Sequence, residues 1–260
     1  MKYPTLKHHL FAYVTSQVVF CCNECRIAAL HSSHKYECGL TSTISDLDFG
    51  RNTVLACRLV TKFISDLVPS DLNPKTIPKD LFSKFERLID SDGAVINDNL
   101  CGGGDSNMYA SENYENICEL VGNKESRNVP DLFKRSIMAG VLVDVLEKGE
   151  KILPFLNKLA EISTCNESTI DVKLVICGVL LRHITCLPCN AHTVTLFEHD
   201  LSNCIGSVSN DVGASAYAVL SLTNHSCAPN CFRQSFGSTG VLRALEFIPK
   251  GTEVNDCYGA

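Results

Sequence analysis

Helical and strand-like patterning occupy separate stretches of this chain, and that segregation is the strongest constraint on its fold. Between residues 41 and 187, apolar side chains recur with a period near 3.6. NTVLACRLVTKFISDL puts Leu55, Leu59, Phe63 and Leu67 on one stripe. DLFKRSIMAGVLVDVLEKG follows Pro130, offers Asp131 as N-cap and ends at Gly149. IDVKLVICGVLLRHITCLP repeats the scheme with Val172, Val175, Ile176, Val179 and Leu180, and is expected to stop at Pro188. Beyond it the runs shorten to AHTVTLFEH, AYAVLSL and GVLRALEFI, which read as strands between turn residues. IPKGTEV reads as a turn punctuated by Pro249 and Gly251. Helices followed by strands, rather than alternating with them, predict an α+β fold. Three parts are expected: residues 1–40, rich in His and Cys; 41–187, helical; and 188–260, β-rich.

Composition excludes some functions. A net charge of −6 gives no basic field for nucleic acid or an anionic membrane surface, so neither is an expected partner. No run reaches the roughly 18 uncharged apolar residues of a membrane span. SIMAGVLVDVL comes nearest and is broken by Asp144. The first twenty residues have no continuous apolar core or small-residue cleavage site, so no signal peptide is read. The 15 cysteines are therefore expected to be reduced, as core thiols or metal ligands. Cys57, Cys118 and Cys177 lie in apolar helical patterns and are read as core thiols, as is Cys231. CGGGD follows no strand and has no Lys-Ser/Thr signature, so it reads as plain loop. His8, His9, His31, His192 and His199 fit no ligand pattern and read as surface or locally hydrogen-bonded histidines.

Two regions carry chemistry. FCCNECRIAALHSSHKYEC supplies Cys21, Cys22, Cys25, His34 and Cys38. A helix from about Cys25 to Cys38 would place His34 and Cys38 one turn apart on one face. Thiolate and imidazole together are the donors tetrahedral zinc prefers. The second region, LTNHSCAPNC at 222–231, crowds an amide, an imidazole, a hydroxyl and two thiols around a proline.

CCNECRIAALHSSHKYEC resembles the second half of a MYND zinc finger through Cys21, Cys25, Ala29, His34, Glu37 and Cys38. NHSCAPNC resembles the NHSCxPN loop of SET-domain methyltransferases, and PKGTEVNDCYG resembles their closing motif. Together, over about residues 20–260, they resemble the SET-and-MYND (SMYD) protein-lysine methyltransferases, in particular their fourth-member-like, arthropod-type subgroup. The resemblance implies a β-rich SET core with a helical insertion and half of a small zinc finger. It implies S-adenosylmethionine and zinc as cofactors, and a lysine side chain of a protein as substrate. Tyr258 matches the active-site tyrosine, while Asn190, Asn224 and His225 match cofactor contacts. Cys227 matches a zinc-binding cysteine, beside Cys21, Cys25, His34 and Cys38 of the finger. A Pro-rich peptide is an implied partner of the finger, and nucleus and cytoplasm are the implied locations.

The family's first SET strands, the first half of the finger and the cysteines after the SET domain have no counterpart in these 260 residues. An incomplete copy of a longer enzyme is therefore expected, with little methyl transfer by this chain alone. The alternative is a catalytically inactive SET/MYND interaction module.

Overall fold

Helices do precede strands along the chain, as the segregated patterning requires. A computed structural model describes residues 18, 20, 22–67, 114–149, 152–165, 171–199, 207–236 and 239–258. Cys21, the CGGGD loop, His8 and His9 lie outside them. The helices are α1 (Asn23–Leu30), α2 (His34–Glu37), α3 (Thr41–Asp46), α4 (Arg51–Leu67), α5 (Tyr114–Cys118), α6 (Val129–Glu147), α7 (Leu153–Cys165) and α8 (Val172–Asn190). The strands are β1 (Ala191–His199), β2 (Ser207–Ala216), β3 (Asn224–His225), β4 (Cys231–Phe236), β5 (Thr239–Ala244) and β6 (Asn255–Asp256).

Several local expectations are corrected. The helix foreseen from Cys25 to Cys38 is two helices, α1 and α2, with a break after Leu30. His34 and Cys38 are nonetheless one turn apart, since the Cys38 N–H donates to the His34 carbonyl at 2.9 Å. In α6 the cap is Asn128, whose Oδ1 accepts the Asp131 N–H at 2.9 Å, so Pro130 falls inside the first turn where its missing N–H costs nothing. α8 runs through Pro188 to Asn190. Side chains take up carbonyls of its last turns: Arg127 Nη2 donates to Thr185 O at 2.6 Å and Asn190 Nδ2 to Cys186 O at 2.8 Å. AYAVLSL is not a strand: its backbone bonds locally, Ser221 N to Tyr217 O and Leu222 N to Val219 O, in a short 3-10 turn at Leu220–Leu222. Among the described residues α8, rather than SIMAGVLVDVL, is long and apolar enough to cross a membrane by length and composition. Its Val175, Ile176, Val179, Leu180, Ile184 and Leu187 are covered by protein, as in a core helix.

The chain divides into two compact units, one of Met1–Glu86 with Phe133–Leu181, the other of Arg87–Leu132 with Arg182–Ala260. In the first, α4 buries Ala56, Cys57, Val60, Phe63 and Ile64, a stripe rotated from the expected one. Leu55 and Leu59 are only half-buried. The buried carboxylate of Glu37 ties α2 to α4 by accepting from Arg58 Nη2 at 2.9 Å and Thr61 Oγ1 at 2.8 Å. Burial pushes the Cys57 thiol up to about 12, which makes it the inert core thiol expected. Cys118 and Cys231 are buried too, but Cys177 is only half-buried.

In the second unit, the end of α8 holds the segment after α5. Buried Arg182 donates from Nη2 to the Cys118 carbonyl at 2.7 Å and the Leu120 carbonyl at 2.5 Å, placing a cation on the C-terminal carbonyls of α5. Among the described residues the strands form three two-stranded sheets: antiparallel β1–β2, antiparallel β4–β5 and parallel β3–β6.

Candidate functional site

The loop at 222–231 and the segment at 249–258 meet through β3 and β6. Asn224 pairs with Asn255 and His225 with Asp256, and the Ser226 N–H extends the pairing to the Asp256 carbonyl at 2.9 Å. Two-residue strands hold register poorly by themselves, and here Asn230 supplies what they lack. Its Oδ1 accepts the Asn255 N–H at 3.0 Å, its Nδ2 donates to the Glu253 carbonyl at 2.8 Å, and its own N–H donates to Asn255 Oδ1 at 2.9 Å. An amide side chain can do this because it is donor and acceptor at once. The turn into the segment closes by Thr252 N–H to the Pro249 carbonyl at 3.1 Å, with Gly251 at φ 90, as its Pro-Gly punctuation predicts.

Where the two segments meet, Tyr258 and His225 face each other with ring centroids 5.2 Å apart. The Tyr258 N–H donates to His225 Nδ1 at 3.0 Å. With Nδ1 accepting, the neutral imidazole carries its proton on Nε2, which lies 3.4 Å from Cys227 Sγ. The Tyr258 hydroxyl donates to the Thr223 carbonyl. Burial, then the Asp256 charge, raise the Tyr258 pKa against the opposing pull of Arg233, so this side chain is a neutral phenol rather than a phenolate. His225, Cys227, Cys257 and Tyr258 line a cleft of about 670 Å³.

Tyr258 also borders a second, smaller cavity of about 140 Å³ together with Asn190, His192, Ser221 and Arg233. Asn190 is buried there, with both Nδ2 hydrogens spent on protein carbonyls: Val121 at 2.7 Å and Cys186 at 2.8 Å. Its Oδ1 is the atom left to meet a ligand. His192, expected at the surface or locally bonded, is buried and hydrogen-bonded. Arg233 Nη1 lies 2.6 Å from its Nδ1, and Ser221 Oγ lies 3.2 Å from its Nε2. Burial first, and the Arg233 charge second, push the His192 pKa down to about 4, so the ring is neutral at physiological pH.

Of the residues singled out from sequence, Asn190, His225, Cys227 and Tyr258 therefore line adjoining cavities. Asn224 is engaged with the closing segment instead, its Nδ2 donating to Glu253 Oε1 at 2.5 Å. The zinc donors do not gather among the described residues, where no three His, Cys, Asp or Glu side chains stand together as a metal site. Cys22 Sγ accepts the Cys25 N–H as the cap of α1, and the buried His34 ring sits edge-on to Phe20 at 5.4 Å. Arg233, Asp256 and Ser221 were not foreseen. Asp256 stands inside the closing motif, which was a usable signal; Arg233 depends on a hairpin that no pattern announced.

Comparison with known proteins places these elements in a wider setting. A family model described as "SET domain" matches residues 113–259. The chain is 25% identical over 265 residues to the protein-lysine N-methyltransferase SMYD4 of Gallus gallus, an alignment covering 94% of this chain and 35% of that protein. It is 24% identical over 265 residues to the SMYD4 of Homo sapiens, covering 94% of this chain and 33% of that protein. The chain thus spans about a third of the length of the curated relatives it matches.

Proposed function

Because this chain belongs to the SET-domain family, among the SMYD relatives, we propose that it serves an S-adenosylmethionine-dependent protein-lysine N-methyltransferase. The observation that carries the reading is the β3–β6 pairing, which brings His225 and Tyr258 to one cleft and Tyr258 and Asn190 to another.

The bound cofactor supplies an electrophilic methyl group on a sulfonium. The chain must then present a neutral amine in line with it, although a free lysine near pKa 10.4 is protonated. Desolvation of the amine on entering the site would favour its neutral form. Since the Tyr258 hydroxyl donates to Thr223, its oxygen lone pairs are left to accept from an amine N–H and aim the nitrogen lone pair. His225 holds that tyrosine through its backbone N–H. Asn190 offers Oδ1 as an acceptor toward the cofactor, and Asn224 steadies the closing segment through Glu253. Zinc bound by Cys21, Cys25, His34 and Cys38, a further zinc at Cys227, a Pro-rich peptide partner and a nuclear and cytoplasmic location belong to the same reading, supported by the sequence pattern alone.

Incubation of the full chain with tritiated S-adenosylmethionine and a mixture of lysine-rich proteins tests the reaction. Little label should enter lysine from these 260 residues alone, and more from the chain extended to the length of its SMYD4 relatives, in which Tyr258→Phe should lower incorporation at least a hundredfold without changing the melting temperature. Equal labelling by the variant would remove Tyr258 from the chemistry. Cofactor binding without any labelling would favour an inactive interaction module.

A further inference from the structure

One charged cluster beside the site joins Asp256 of the closing motif to residues outside both motifs. Arg233 is the third residue of β4, and its Nη1 reaches both Asp256 Oδ2 on β6, at 2.9 Å, and His192 Nδ1 on β1, at 2.6 Å. The Asp256 side chain is only 7% exposed and that of Arg233 19%, so this ion pair is shielded from solvent rather than a surface pair of little consequence. Asp256 is held from other sides too: its Oδ1 accepts the Cys257 N–H at 2.8 Å and its backbone carbonyl the Ser226 N–H at 2.9 Å. His192 passes the connection on, because its Nε2 faces Ser221 Oγ, which lies 2.8 Å from the Asn190 carbonyl. One guanidinium therefore joins, through hydrogen bonds alone, the residue at the end of α8 to the two-residue strand that delivers Tyr258.

We propose that Arg233 is a positioning residue of the methyl-transfer site, clamping β6 to β1 so that Tyr258 and Asn190 face the same cavity. This inference rests on the methyltransferase reading for its consequence, but not for its geometry. β6 has only two ladder pairs and cannot fix the tyrosine beyond it unaided. Both bonds leave one nitrogen, Nη1, which the planar guanidinium holds between acceptors on two different strands, and a flexible lysine ammonium has no plane to fix it there. The neutral His192 ring is what allows Nδ1 to accept from a cation at all.

The test uses the full chain labelled with 3-fluorotyrosine, the Tyr258 fluorine resonance being assigned by its loss in Tyr258→Phe. Arg233→Met should shift or broaden that resonance and weaken S-adenosylmethionine binding at least tenfold. Asp256→Asn should do the same, and the double variant should be no worse than either single one. Arg233→Lys, which keeps the charge but not the planar group that fixes the donor between the two strands, should fall between wild type and Arg233→Met on both readouts. If Arg233→Met fails to fold, Arg233→Lys decides by the Tyr258 resonance alone. An unmoved resonance in a folded variant would overturn the clamp, as would additive losses in the double variant. Absence of cofactor binding by the wild type would count against the methyltransferase reading, while the fluorine resonance would still decide the clamp.

Discussion

Asn230 and Asn255 bond each other reciprocally, each backbone N–H donating to the other's side-chain oxygen, at 2.9 and 3.0 Å. This exchange locks the NHSC loop to the closing segment, where two short strands alone would slip. Asn230→Ala strands the Asn255 N–H and the Glu253 carbonyl in a partly buried setting, at roughly 1 kcal/mol or more each. The expected loss is about 2–3 kcal/mol in urea unfolding, with weaker protection of residues 253–258 in hydrogen exchange. A loss confined to the 222–231 loop would contradict the lock.

Acid should destabilise the protein through two buried histidines. Burial first, then neighbouring arginines, lower His183 to about 3 and His192 to about 4 from the usual 6.5. As pH falls below 6.5 the unfolded chain takes up these protons before the folded one does. Stability is therefore fully present above 6.5 and is lost as pH falls, to about 4 for His192 and about 3 for His183. Each contributes a slope of at most about 1.4 kcal/mol per pH unit in that window. His192→Gln should make the acid limb of a melting-temperature profile shallower; an unchanged limb would mean the ring is protonated when folded.

Gly149 has little room for a side chain, between the Leu146 carbonyl and two apolar side chains. A Cβ there would lie 2.8 Å from Leu40 Cδ1 and 3.1 Å from Ile152 Cγ2. Gly149→Ala is expected to cost about 1–3 kcal/mol by overpacking. Leu40→Ala in the same chain should recover part of that loss, and a double variant as unstable as the sum would refute the contact.

The described residues do not gather a zinc site, so the zinc reading of Cys21, Cys25, His34 and Cys38 rests on the sequence pattern and is tested by metal content. Elemental analysis of the purified chain should find the metal, and Cys25→Ser with Cys38→Ser should remove it. Metal-free wild type of unchanged stability would leave those cysteines without a ligand role.

The two motifs were legible in sequence because each packs its groups into about ten consecutive residues. Their union was not, since it depends on a parallel pairing across thirty residues that leaves no periodic trace. AYAVLSL shows the limit of alternation: Leu220 and Leu222, spaced as on one face of a strand, instead lie in a 3-10 turn, with Ser221 bonded back to Tyr217. Pro188 shows the limit of punctuation, since α8 runs on through it to Asn190, with the Arg127 and Asn190 side chains bonded to the Thr185 and Cys186 carbonyls of its last turns. Arg233 was invisible because its meaning lies in the strands on either side of it.

Calorimetric titration of the full chain with S-adenosylmethionine tests the central claim most directly. Saturable binding is expected, which His225→Ala, by releasing Tyr258, and Asn190→Ala, by removing the remaining acceptor, each weaken at least tenfold. No heat of binding from a chain that melts cooperatively would contradict it: the pairing of β3 with β6 would then hold the two motifs together without making them a cofactor site.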